Sequence, residues 1–168
     1  MLNDNVSWST NISGKSKIRL NLDYVFCNDN ENVLFVAKQE ICPVDLTSRK
    51  IKRLDFINNL HEEPSNILFS KWKETDGFKK CSDYTILYCD TDSNGHVNNA
   101  SYVRFMLNTF DSDFFYNNTI TDLEIHYLNE CLEKQTISIY KKTVQDEIFF
   151  LILRDDTKII EAKLKINS

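Results

Sequence analysis

A chain of 168 residues with 42% hydrophobic and 27% charged residues suits one compact globular domain, or one domain plus part of a second. Its net charge of −5, with no basic stripe interleaved with aromatics, excludes nucleic acid as the main partner. No stretch approaches the roughly 20 apolar residues that a transmembrane helix needs, so no membrane span is expected.

The five cysteines, Cys27, Cys42, Cys81, Cys89 and Cys131, include no CxxC pair, so neither a zinc site nor a redox pair is indicated. No metal and no cofactor are expected. Residues 1–10 are polar and lack the apolar core of a signal peptide. Reduced thiols and a cytoplasmic location follow as expectations.

In chain order, residues 17–43 predict two strands. Ile18, Leu20, Leu22, Tyr24 and Phe26 alternate with polar residues, then Cys27-Asn28-Asp29-Asn30-Glu31-Asn32 marks a turn. The run from Val33 through Phe35 and Ala37 is apolar on both faces and ends at Pro43. Residues 45–53 form a short basic exit. Residues 55–81, with Pro64, Gly77 and many charges, predict a linker carrying a short helix over residues 66–73.

From residue 82 the pattern is fuller. Tyr84, Ile86 and Tyr88 alternate with Thr85 and Leu87, which predicts a strand over 82–88. A helix is predicted over 98–115, with Tyr102, Phe105, Met106, Thr109, Phe110 and Phe114 on one face and Asn98 or Asn99 as N-cap. Four strands follow, near 119–129, 134–144, 146–154 and 157–166. The short polar turns between them predict an antiparallel meander. One strand, a long central helix and four antiparallel strands make an α+β layout in which the sheet wraps the helix.

Between the first strand and the helix lies the densest chemistry of the chain, Asp90-Thr91-Asp92-Ser93-Asn94-Gly95-His96. Two carboxylates, an amide and an imidazole in seven residues suit general acid–base work. The N–H groups of the following helix turn would favour charge developing on a carbonyl oxygen. An Asp-x-Asp-x-Asn-Gly run is also the start of a calcium loop, but the terminal Glu of that loop is missing. Asp90 reads as a structural residue that bonds the turn, and Asn98 and Asn99 read as caps. His126 reads as a sheet-face residue and His61 as a solvated linker residue.

Three segments carry a family resemblance. The run from Asp90 to Asn99 resembles the Asp-x-Asp-x-Asn-x-His-Val-Asn-Asn signature of the acyl-acyl-carrier-protein (acyl-ACP) thioesterases. Tyr102 to Leu107 resembles the helix after that signature. Leu123-Glu124-Ile125-His126-Tyr127-Leu128-Asn129-Glu130-Cys131 resembles the family's strand ending in Glu-Cys. The resemblance implies a hotdog fold, an antiparallel sheet wrapped around a long central helix. It also implies a division into a partial N-terminal hotdog over 1–54, a linker over 55–81 and a complete hotdog over 82–168. Asp45-Leu46-Thr47-Ser48-Arg49 resembles the exit of the family's first hotdog. The earlier strand and helix of that hotdog have no counterpart, and a second subunit, as in a homodimer, is one way to cover the bare face.

The resemblance places the catalytic set at Asp92, Asn94, His96 and Glu130. Substrate contacts fall to Val97, Asn98, Asn99, Tyr102 and Cys131. Asp92 matches an acid that acts as nucleophile or orients the attacking group; Asn94 would hold the carbonyl or water; His96 and Glu130 would activate water and move protons. Cys131 is secondary as a nucleophile, since nothing in the sequence around it stabilises a thiolate. The implied activity is hydrolysis of acyl-ACP to a free fatty acid and holo-ACP, which ends fatty acid synthesis, with acyl carrier protein as partner. An acyl-CoA thioesterase and a truncated non-catalytic member are the alternatives.

Overall fold

The computed structural model describes residues 5–45, 47–48, 50–55, 60–67, 69 and 76–167. The chain divides into two compact units, residues 1–72 and 73–168. Of the helix expected over 66–73, residues 68 and 70–73 lie outside the described residues, as do Leu46 and Arg49 of the residue 45–49 exit.

The first unit is a three-stranded antiparallel meander of β1 (Val6–Lys15), β2 (Leu20–Asn28) and β3 (Val33–Ile41). β1 precedes the strands read from the sequence, although Val6, Trp8 and Ile12 already alternate with polar residues. Asn28 closes the β2–β3 turn, its Oδ1 accepting the N–H groups of Asn30 and Asn32, both at 3.0 Å. Buried Asp23 on β2 accepts the hydroxyls of Ser13 and Ser65, and Lys38 stands 3.6 Å away. Lys38 Nζ donates to Ser65 Oγ at 2.8 Å and to the Ile67 carbonyl at 3.0 Å, which holds that segment to the strands.

The second unit has the strand order β4-β6-β7-β8-β5, with β4 (Lys79–Thr85), β5 (Thr119–Tyr127), β6 (Thr136–Val144), β7 (Glu147–Arg154) and β8 (Thr157–Asn167). All its pairings are antiparallel. One face is apolar: Ile137 and Ile139, then Ile148, Phe150 and Ile152, then Ile160, Ala162 and Leu164 are buried at alternate positions along three neighbouring strands. Helix α1 (Asn99–Leu107) contributes Tyr102, Phe105 and Met106 to the same core. Burying each of the larger side chains contributes about 1.5–3 kcal/mol, so these eleven residues dominate the stability of the unit.

Three elements differ from the sequence reading. The first strand ends at Thr85, and Tyr88–Asp90 form a single 3-10 turn. The helix expected over 98–115 is two helices, α1 and α2 (Ser112–Asn117). Its break has local causes: Asn108 caps the end of α1, and the Asp111 side chain caps α2 through the Phe114 N–H at 2.9 Å. Phe110 still reaches the core side, stacked on Phe114 with ring centres 3.9 Å apart.

The third difference matters for function. The short turn after residue 129 predicts β5 beside β6, but β5 pairs with β8 at the opposite edge from β4. Leu128 and Asn129 keep N–H bonds to the Ile159 carbonyl, at 2.9 and 3.3 Å. The chain then crosses the strand ends and docks near β4, with Val97 N–H on the Cys131 carbonyl at 2.9 Å and Lys134 N–H on the Ile86 carbonyl at 2.9 Å. The crossing segment therefore carries Glu130 and Cys131 alongside the loop that holds His96.

Candidate active site

Asp90 is the foundation of the site. Its carboxylate is fully buried. Oδ2 accepts the Tyr84 hydroxyl at 2.9 Å and the Leu87 N–H at 2.8 Å, and Oδ1 accepts the Arg104 guanidinium. Burial pushes its pKa up, but these three donors outweigh burial and hold the carboxyl below its ordinary value. Its backbone carbonyl accepts the Asn98 N–H at 2.9 Å and the Ser101 hydroxyl at 3.0 Å. One residue thus joins the end of the first strand, the motif loop and the start of α1. Neither Tyr84 nor Arg104 stands out in the sequence, because the contact spans six residues one way and fourteen the other.

The loop from Thr91 to Val97 closes on itself. Thr91 and Val97 form an antiparallel bridge, and Asp92 N–H reaches the His96 carbonyl at 2.8 Å. Asp92 Oδ1 accepts the N–H groups of Asn94 at 2.8 Å and His96 at 3.3 Å. The carboxylate therefore shapes the loop by a side-chain-to-backbone turn. Gly95, with φ +77°, supplies the left-handed residue that the turn needs. Asp92 and Asn94 are both exposed on this loop.

His96 and Glu130 meet directly. His96 Nε2 lies 3.2 Å from Glu130 Oε2, with the imidazole 16% exposed and the carboxylate 63% exposed. His96 also forms an isolated bridge with Leu132, so the histidine and the crossing segment are joined through backbone as well as side chains. An imidazole fixed by a carboxylate, open to solvent on one side, can take a proton from water and deliver it to a leaving group.

The remaining site residues fall into two groups. Val97, Tyr102 and Cys131 are buried in the core. Asn98 and Asn99 are exposed at the start of α1. Asn98 caps that helix, its side chain accepting the Ala100 N–H at 2.9 Å, while its carbonyl accepts the Ser101 N–H at 2.9 Å. The N–H groups of Ala100 and Ser101 are thus engaged within the cap. Burial pushes the Cys131 thiol up in pKa, opposed by Tyr102 and Arg154. A buried neutral thiol is a poor nucleophile. Burial also pushes the Tyr102 hydroxyl up.

An antiparallel sheet packed on a helix in this order is the arrangement of the hotdog class of proteins. The acyl-ACP thioesterase C-terminal domain family matches residues 73–167, which is more than half of the chain. The chain belongs to the acyl-ACP thioesterase family, whose class is thioester hydrolase. No curated protein matches it by sequence. Among solved structures it is similar to an acyl-ACP thioesterase from Bacteroides thetaiotaomicron, at 17% identity and TM-score 0.87 over 98% of this chain and 69% of that one. It is similar to a Lactobacillus plantarum protein described as an oleoyl thioesterase, at 19% identity and TM-score 0.79 over 97% and 68%. It is also similar to a 12:0-ACP thioesterase from Umbellularia californica, at 16% identity and TM-score 0.77 over 98% and 68%. These likenesses establish the fold, and the chain spans about two thirds of each of these proteins.

Proposed function

We propose that the chain hydrolyses acyl-ACP to a free fatty acid and holo-ACP and so ends acyl chain elongation. The observation that carries this reading is the His96–Glu130 pair at 3.2 Å beside the Asp92–Asn94 loop, within the unit that matches the family. The pair takes a proton from water as the water oxygen bonds to the thioester carbonyl carbon. The tetrahedral intermediate collapses with cleavage of the carbon–sulfur bond, and the imidazolium returns the proton to the departing sulfur. In this reading the exposed Asn94 amide holds the carbonyl or the water. Asp92 holds the loop that presents both Asn94 and His96.

The division of the chain into a partial hotdog, a linker and a complete hotdog is part of the same proposal. Five free cysteines support action in a reducing cytoplasm. Among the described residues no helix is long and apolar enough to cross a membrane.

The test is kcat/KM for thiol release from acyl-ACP and from acyl-CoA of matched chain length. The proposal expects acyl-ACP to be preferred, with KM for acyl-ACP rising with salt as a charged carrier is screened. Equal or better use of acyl-CoA would replace acyl-ACP by coenzyme A esters as the substrate.

A further inference from the structure

Arg154, the last residue of β7, has no part in the sequence signature, yet it reaches the crossing segment at its most consequential point. Its Nη1 donates to the Glu130 carbonyl at 2.9 Å and to Gln135 Oε1 at 2.9 Å, and lies 3.8 Å from Cys131 Sγ. Gln135 Oε1 in turn accepts the Leu132 N–H at 2.9 Å. The guanidinium thus grips the segment at both ends of the bend between Glu130 and Gln135.

The neighbouring residues are held by backbone bonds. Asn129 is tied to β8 by its N–H on Ile159 and by its side-chain amide on the Lys158 carbonyl at 2.8 Å. Cys131 is tied to Val97. Between them, Glu130 carries a side chain that is 63% exposed, so packing does little to aim it. The direction of that carboxylate follows from the backbone at Glu130, and the charge-assisted bond from Arg154 fixes that backbone.

We propose that Arg154 is a positioning residue: by clamping the Glu130 carbonyl it aims the Glu130 carboxylate at His96. The catalytic consequence rests on the hydrolase reading above. The structural consequence, the state of the His96 ring, does not.

The experiment compares the parent with Arg154→Ala, Arg154→Lys, Glu130→Gln and the double variant Arg154→Ala with Glu130→Gln. In thioester hydrolysis, Arg154→Ala is expected to lower kcat by roughly 10- to 100-fold with KM nearly unchanged, the size of effect that a misplacement of about 1 Å produces. Arg154→Lys retains a point charge without the planar fork and is expected to fall between. In the Glu130→Gln background the Arg154→Ala change is expected to lower kcat no further, because the group it positions is already gone. An equal fold loss in both backgrounds marks a general structural role and overturns the inference, as does an unchanged kcat.

A second readout needs no turnover. The nitrogen chemical shifts of the His96 ring are expected to move in the same direction in Arg154→Ala as in Glu130→Gln. If no parent thioester is turned over, the hydrolase reading fails. His96 shifts that Glu130→Gln moves and Arg154→Ala and Arg154→Lys leave in place would overturn the positioning role itself. Should Arg154→Ala not fold, Arg154→Lys carries both readouts.

Discussion

Replacing Asp90 by Asn should be among the most damaging single changes in the second unit. The carboxylate is fully buried and accepts from the Tyr84 hydroxyl, the Leu87 N–H and the Arg104 guanidinium. The amide has the same shape but only one accepting oxygen. It can serve the Oδ2 pair or Arg104, and its NH2 must face a donor at the other place. Each lost bond to a charged acceptor costs about 1.5–3 kcal/mol when the donor stays buried. The Arg104 side chain is 50% exposed and recovers water, so its share is discounted. The expected loss is about 3 kcal/mol, a large fraction of the roughly 5–15 kcal/mol that holds a domain folded.

The assay must read the second unit. Trp8 lies on β1 in the first unit, so its fluorescence reports elsewhere. Amide exchange at Ile152 and Ile160, buried partners on β7 and β8, reads the second. The loss should also depend on pH. The Asp90 carboxyl is held below the 3.8 of the unfolded chain, so its stabilisation is present above that value and lost as the pH falls through it and lower. The gap between parent and Asp90→Asn should therefore be widest above about pH 5 and close on acidification. A gap under about 1 kcal/mol, or one that does not change with pH, would refute the assignment of Asp90 as a buried, ionised anchor.

Three further outcomes are expected. Cys131→Ser should keep kcat within about threefold of the parent, because the buried neutral thiol is not the nucleophile; loss of nearly all turnover would restore Cys131 to the chemistry. Phe150→Ala, at a fully buried site in the centre of the sheet, should cost about 3–5 kcal/mol in the same exchange measurement. Gly95→Ala meets open space, so its cost is the left-handed backbone alone, about 1–2 kcal/mol, and it should appear as a lower kcat when the Asp92 turn shifts His96.

What the sequence makes legible is local. The alternation in β2 and β6, the continuous apolar run of β7, the turn at Asn28 and the start of α1 at Asn98 all follow from neighbours a few residues apart. The loop from Asp90 to Val97 is legible for the same reason, since Asp92, Gly95 and His96 build it within one turn. The break between α1 and α2 was also local: Asn108 and Asp111 are cap residues, and the apolar spacing across Phe110 masked them. Non-local features were hidden. Nothing in residues 119–135 tells that β5 lies beside β8 and that its exit crosses to β4, because a short polar turn suits a hairpin as well as a crossing. The pairing of Glu130 with His96 depends on that crossing, and so does the grip of Arg154, while Arg104 reaches Asp90 across fourteen residues of the loop and helix. Only the family resemblance singled out Glu130 in advance, and it gave no hint of the two arginines.

The most direct test of the account is thiol release from acyl-ACP by the purified 168-residue chain, run beside Asp92→Asn and His96→Ala. The account predicts turnover by the parent, a fall in kcat of roughly 100-fold or more for His96→Ala as general-base catalysis is lost, and a clear fall for Asp92→Asn as the loop loosens. A folded parent with no turnover on any acyl thioester, or a His96→Ala variant as fast as the parent, would contradict it.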